Sequence, residues 1–470
     1  MIFNPSSLIR TKGSYRLGKD VSAVAHPCLS KAVLSEFWHN FTFQASNLCI
    51  ADEINEFRFS VGEAEALSLD GTDYSINVTP AGISVFAENE TNLIRGFMTL
   101  LDRIKATEVN DAVAAEIECC QIKDKPLIPQ RMVHLCIFPE TERWEVQRFL
   151  RACGVLKYTH VILEFWGMLK FDCLKELSWP HAFSKEQIRP ILGEANDLGL
   201  EIIPAFNHWG HASASRSIHG KHVVLDQNPS LQPYFSENGW CWAIEKPRTK
   251  ALLHKIREEM CDLCGAGQYF MLGCDEADGF EFSRENMDLL CRYLNEITED
   301  LERSGRRPIL WGDMFLFKKD GYNPQNHYCC NAPSWEAAQY MLDRLSRSIV
   351  IGDWQYTSPC APVETALTFK QAGFDCLLCP WDCGKKELIA PLETIKAHHL
   401  SGFILTTWHT LSKGIPYVTM AARGGFEDID AYTTPEARHH TAALMRKVMP
   451  ARGRYERAGW SKQQIDFLWE

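Results

Sequence analysis

From Arg131 onward the chain alternates short apolar runs with amphipathic helical stretches. The runs fall near 132–138, 160–165, 201–204, 269–272, 308–311, 349–352, 375–379 and 402–406. Helical patterns lie between them, among others at 142–156, 185–198, 250–263, 285–303, 362–372 and 385–398, and Ser184-Lys-Glu-Gln187 forms a capping box that opens one of these. A short run without a polar face reads as a strand covered on both sides, the condition of a parallel sheet whose crossovers are helices. Eight strands with intervening helices predict a (β/α)8 barrel. The competing doubly wound sheet would call for Gly-x-Gly-x-x-Gly after its first strand, and none is there. In a barrel the chemistry belongs at the C-terminal ends of the strands.

At 470 residues the chain is longer than one hydrophobic core usually serves. Residues 1–125 read as a small α+β domain. Tyr74–Val78 and Gly82–Phe86 alternate in polarity across a Thr-Pro-Ala-Gly turn, the signal of a hairpin. After it, Leu93, Phe97, Leu100, Leu101 and Ile104 share one helical face. Lys123-Asp-Lys-Pro-Leu-Ile-Pro129 is the junction, stiffened by two prolines, and 126–470 is the barrel domain with C-terminal helices.

Composition excludes several classes. A net charge of −11 with no basic stripe argues against a nucleic-acid partner. No stretch of 18 apolar residues is available to span a membrane. The segment Met-Ile-Phe-Asn-Pro-Ser-Ser lacks the pattern of a secretory signal, and 18 scattered cysteines without small-scaffold spacing fit a reducing cytosol, so a cytoplasmic protein is expected. Cys261/Cys264, and Cys376/Cys379 with Cys383, have metal-like spacing but no matching His/Cys cluster, and no metal or other cofactor is expected. A homo-oligomer is left open.

The strand ends carry the functional signal. Tyr269–Leu272 is an apolar run ending at Gly273, and just beyond it stand two carboxylates, Asp275 and Glu276. Past the last ladder bond, adjacent side chains are freed from pointing to opposite faces, so both acids can line one pocket. The other ends read Glu164-Phe-Trp166, Pro204-Ala-Phe-Asn207-His208-Trp209-Gly210-His211, Trp311-Gly-Asp313, Asp353-Trp354-Gln-Tyr356, Pro380-Trp381-Asp382 and Thr407-Trp408-His409. Six of eight ends bear a tryptophan, which collects aromatic rings at one mouth. Aromatic faces with a few carboxylates suit a pyranose, through its C–H faces and its hydroxyls.

With these motifs the chain resembles glycoside hydrolase family 20, the β-N-acetylhexosaminidases. Gly273-Cys-Asp275-Glu276 is similar to the family's His-x-Gly-Gly-Asp-Glu, and Pro204 to His211 to its Pro-Glu-x-Asp-x-Pro-Gly-His. Asn92-Leu-Ile-Arg-Gly-Phe-Met-Thr-Leu-Leu101 is similar to the end of its accessory domain, and Trp311, Tyr356 and Trp408 follow at family-like distances. The resemblance implies a substrate-assisted mechanism, in which the sugar's 2-acetamido oxygen attacks the anomeric carbon and forms an oxazolinium. Glu276 would then protonate the leaving oxygen and later activate water. Asp275 would hold the acetamido N–H, and Tyr356 would donate to the acetamido oxygen. Arg131 would fork to ring hydroxyls, with a structural ion pair as the alternative. His211 would orient the acids or be a core histidine, and Trp311, Trp354 and Trp408 would wall the sugar or pack the core. Asn207, Glu164 and Asp353 complete the candidate sugar-binding set. A like-charged neighbour and partial burial should favour a protonated Glu276.

The sequence also departs from the family pattern. Met271 and Cys274 replace the motif's histidine and second glycine; Ala205, Asn207 and Trp209 replace Glu, Asp and Pro. Thr410 and Ser358 stand where acids that read the far side of the sugar are usual in the family. The reading is an exo-acting β-N-acetylhexosaminidase on an oligosaccharide or glycoside. A barrel glycosidase for another modified sugar and a non-catalytic sugar-binding protein are the alternatives.

Overall fold

The computed structural model describes residues 2–17, 22–24, 27–42, 47–49, 57–61, 69, 71–109, 112–213, 225, 228–408 and 411–450. Its first eight strands are β1 (Ser7–Leu17), β2 (Ser22–Val24), β3 (Asn47–Cys49), β4 (Phe57–Val61), β5 (Tyr74–Thr79), β6 (Gly82–Ala87), β7 (Lys105–Val109) and β8 (Ala112–Asp124). They form one sheet in the order β1-β8-β5-β6-β4-β2-β3, with β7 on β8. The hairpin read from the sequence is β5–β6, paired from Tyr74–Ala87 to Thr79–Gly82. Alternate residues of both strands are buried, and against that face packs the helix Glu90–Arg103, capped by Asn89, whose side chain accepts from the Asn92 N–H at 2.9 Å.

Eight parallel strands then close a barrel: β9 (Gln130–Ile137), β10 (His160–Phe165), β11 (Glu201–Ala205), β12 (Tyr269–Gly273), β13 (Arg307–Trp311), β14 (Val350–Asp353), β15 (Asp375–Leu378) and β16 (Gly402–Leu405), with β16 returning to β9. Each predicted run contains one of these strands to within two residues. The helices lie at Arg143–Val155, Lys185–Asp197, Pro247–Cys264, Arg284–Arg303, Trp335–Leu342, Glu364–Gln371, Lys386–His398, Leu411–Gly424 and Thr434–Lys447. Trp335–Leu342 adds a helix that the sequence patterns named above do not include. Met132, Ile162, Ile203, Met271, Ile309, Val350, Leu377 and Ile404 fill the barrel interior, one from each strand.

Ion pairs of two buried cations tie the N-terminal domain to the barrel. Lys157, wholly buried after the first barrel helix, reaches Asp124 at 3.2 Å, Tyr74 at 3.1 Å and Thr99 at 3.2 Å. Arg151 pairs with Glu194 of the barrel and, at 2.8 Å, with Glu36 of the N-terminal helix Ala32–Phe41. No helix among the described residues is long and apolar enough to cross a membrane.

Candidate active site

The site is built where the ends of β11 and β12 meet. Gly210 lies so close to this turn that a Cβ there would sit 2.1 Å from the Asp275 carbonyl oxygen. A Cβ on Gly273 would sit 1.9 Å from Asn207 Oδ1. That close approach is accompanied by left-handed backbone at Gly273 (φ 67°), Cys274 (φ 70°), Glu276 (φ 43°) and His211 (φ 49°). Such conformations at non-glycine residues persist only where surrounding contacts enforce them, and they gather at functional sites.

The turn gives the adjacent acids different surroundings. Asp275 is 7% exposed; its Oδ1 accepts from Asn207 Nδ2 at 2.8 Å, and its Oδ2 lies 3.1 Å from His211 Nδ1. Glu276 is 44% exposed, with Oε2 at 3.3 Å from the same ring nitrogen. The His211 ring stacks on Trp240 at 4.5 Å and 13°. His211 is thus a shared neighbour of both acids rather than a core residue. Asn207 also donates to the carbonyls of Gly210 (3.0 Å) and His211 (3.2 Å), so it holds Asp275 instead of facing the sugar.

Behind the pair stands Asp313, which the sequence reading quoted at a strand end without giving it a role. Its Oδ2 accepts from the Glu276 N–H at 2.9 Å and Asn331 Nδ2 at 2.8 Å, and its Oδ1 from Trp354 Nε1 at 3.1 Å. Burial, then the charge of Asp275, push its pKa up to about 7, against the pull of these three N–H donors.

Aromatic rings line the opposite side. Tyr356 lies between Trp354 (5.2 Å) and Trp381 (5.3 Å), and Trp408 Nε1 donates to its hydroxyl at 2.6 Å. With the indole as donor, the phenol oxygen is engaged as an acceptor and its own proton remains to be given. Trp354 and Trp408 are partly exposed, whereas Trp311 is 2% exposed and forms the floor, 5.9 Å from Trp408.

Three candidates are corrected. Arg131 is near the start of β9, at the end of the barrel away from the mouth. Its guanidinium is buried, donates to the carbonyls of Ile128, Pro129 and Lys157, and lies 4.8 Å over the Phe426 ring. It therefore clamps backbone carbonyls and neither forks to a sugar nor forms the ion pair considered as its alternative. Asp353 is wholly buried, its oxygens taken by Gln355 Nε2 (2.8 Å) and Thr365 Oγ1 (2.6 Å), and burial pushes its pKa up to about 6. Glu164 is buried against His134, Oε2 to Nε2 at 2.5 Å, under the Trp408 ring that packs on His134 at 4.5 Å. A histidine inside the apolar run of β9 was the one sequence signal for that pair. Thr410 and His409 lie outside the described residues.

Among the described residues, two groups bring three metal-capable atoms within 4.8 Å of one another: His211/Asp275/Glu276 and His134/Cys136/Glu164. In the second, the 2.5 Å separation of His134 and Glu164 is that of a direct hydrogen bond, and ligands of one metal at about 2.0–2.3 Å would stand further apart. Cys376 and Cys379 are buried on β15 and its end, and Cys383 is exposed.

The closed parallel barrel carries an acidic pair, a histidine and an aromatic wall at its mouth. Residues 163–381 are similar to the glycosyl hydrolase family 20 catalytic domain. A lacto-N-biosidase of Bifidobacterium bifidum is 17% identical over 285 residues, 56% of this chain. The chain spans about a quarter (24%) of the length of this curated relative. Among solved structures, the exo-β-N-acetylglucosaminidase of Vibrio harveyi in complex with N-acetylglucosamine has a TM-score of 0.70 at 15% identity, covering 95% of this chain and 77% of that one. The β-N-acetylhexosaminidase of Bacteroides fragilis has a TM-score of 0.67 at 16% identity, covering 97% and 95%.

Proposed function

We propose that the chain is an exo-acting, retaining hydrolase that removes terminal β-linked N-acetylhexosamine through an oxazolinium intermediate. The observation that carries this reading is the unequal environment of Asp275 and Glu276, 7% and 44% exposed. The buried acid, gripped by Asn207 and His211, suits a fixed anion that holds an acetamido N–H and offsets the charge developing beside it. The open acid suits proton transfer to a leaving oxygen and then from water. Tyr356, its oxygen engaged by Trp408, is ready to donate to the acetamido oxygen. Asp313 and Asp353 are held by internal donors, and Glu164 is buried against His134, so none of these three presents an open nucleophile. The nucleophile then comes from the substrate. The name of the Vibrio harveyi relative and its bound N-acetylglucosamine support the same sugar class. We also propose a reducing, cytoplasmic setting, supported by 18 scattered cysteines without small-scaffold spacing.

The test is a panel of aryl β-glycosides of GlcNAc, GalNAc, glucose and galactose together with a thiazoline analogue of the oxazolinium. Turnover is expected only of the 2-acetamido sugars, and the thiazoline should bind at least ~10²-fold tighter than free GlcNAc. A thiazoline no better than the free sugar, with a 2-fluoro sugar trapping a covalent adduct, would replace this mechanism with a protein nucleophile.

A further inference from the structure

The layer of the barrel interior directly beneath the mouth is polar on one side. Two residues past Met132 and Ile162, and so on the same face of β9 and β10, stand His134 and Glu164, both buried. At the matching positions of β11, β12 and β14 stand Ala205, Gly273 and Gly352, which leave room in the layer for this pair and for the Trp311 ring. Glu164 Oε2 lies 2.5 Å from His134 Nε2, and the ring's Nδ1 has no hydrogen-bond partner among the described residues. A buried ionisable pair is a poor source of stability, since well-packed apolar side chains of similar volume are commonly neutral or better in its place. What such a pair supplies is direction: the hydrogen bond fixes how a flat ring is turned.

His134 is in contact with the aromatic wall at two points. Its ring packs on Trp408 at 4.5 Å and meets Trp311 edge-on at 6.2 Å and 89°. Its carbonyl accepts from Thr407 Oγ1 at 2.7 Å, so the residue before Trp408 is pinned to the same position of β9. Trp408 Nε1 in turn donates to the Tyr356 hydroxyl at 2.6 Å, and Thr406 Oγ1 reaches that hydroxyl at 3.0 Å. We infer that His134 and Glu164 are positioning residues for the proposed hydrolysis. Glu164 turns the His134 ring, the ring seats the Trp408 indole, and the indole aims the Tyr356 phenol. This rests on the hydrolase reading, in which that phenol donates to the acetamido oxygen. A reacting group displaced by an ångström costs about 10²-fold, and a displacement passed through two side chains should cost less, about tenfold in kcat.

The experiment replaces the pair by apolar side chains, His134→Leu together with Glu164→Met, in the full chain. The melting temperature should hold or rise. Meanwhile kcat for an aryl β-GlcNAc should fall about tenfold, with a smaller change in KM. In a Tyr356→Phe background the same two replacements should cost no more than about twofold, because the hydroxyl they aim is already gone. Equal losses in both backgrounds, or a kcat within about twofold of the wild type when Tyr356 is present, overturn the inference. Should the double replacement not fold, Glu164 alone decides. Glu164→Leu should then lose about fivefold more kcat than Glu164→Gln, whose amide can still bond the ring, and equal losses overturn it. If the wild type cleaves no β-hexosaminide, the hydrolase reading is what fails. The seating of Trp408 is then decided by a crystal structure of the double replacement, or of Glu164→Leu. A separation of Trp408 Nε1 from the Tyr356 oxygen beyond about 3.5 Å supports it, and the 2.6 Å contact kept intact overturns it.

Discussion

The carboxylate of Asp313 accepts the backbone N–H of Glu276 at 2.9 Å, and its other oxygen holds the Trp354 indole at 3.1 Å. One buried side chain thus holds both the left-handed backbone of the proposed acid and a ring of the proposed sugar wall. Asp313→Ala should lower kcat by about 10- to 100-fold, because misplacing an acid by an ångström is that costly, with a smaller change in KM. Steady-state kinetics beside thermal melting check this. A fall in melting temperature with kcat intact would make Asp313 purely structural.

Glu276→Gln should slow glycosides with poor leaving groups far more than those with activated phenols. General-acid help is worth about 10²–10⁴-fold and matters most when the departing oxygen is basic. A leaving-group series on the wild type and the variant measures the difference. Equal losses across the series would take the acid role away from Glu276.

Asp353 makes a prediction about pH. Its folded pKa of about 6 is above the ordinary 3.8, so between these values the native state binds more protons than the unfolded chain. Stability from this group therefore grows as pH falls from 6 toward 4 and is lost as pH rises through 6. In Asp353→Asn, the amide can donate to Thr365 while its oxygen accepts from Gln355, which keeps the contacts and removes the titration. Urea unfolding at pH 7.5 and 4.5 should show the variant gaining about 2–3 kcal/mol relative to the wild type at the higher pH. Parallel pH profiles for the two proteins would refute it.

Lys157→Met should destabilise the protein by about 3–5 kcal/mol, since it leaves the Asp124 carboxylate buried without its cation. Adding Asp124→Asn should recover part of that loss, because the uncompensated charge goes with it. Chemical denaturation of both single variants and the double variant gives the coupling. Strictly additive losses would show that the pair is not a unit.

The barrel was legible in the amino-acid sequence because strands covered on both faces leave short uninterrupted apolar runs, and each run here proved to contain a strand. The acid pair was legible for the same reason, as carboxylates just after the run Tyr269–Leu272 can only be at a strand end. Arg131 was misplaced because a local pattern shows that a residue belongs to a strand but not what its long side chain will reach. Near the start of β9, the nearest acceptors are the carbonyls of Ile128, Pro129 and Lys157. Asp313 with Glu276, His134 with Glu164 and Tyr356 with Trp408 are separated by 37, 30 and 52 positions. Such partners meet only when the barrel closes and brings different strand ends together, so periodicity carries no trace of them. The unequal exposure of Asp275 and Glu276 has the same origin. Adjacent in sequence, they differ in exposure because Gly210 and Gly273 let β11 and β12 approach closely enough to turn one acid inward and leave the other at the cleft.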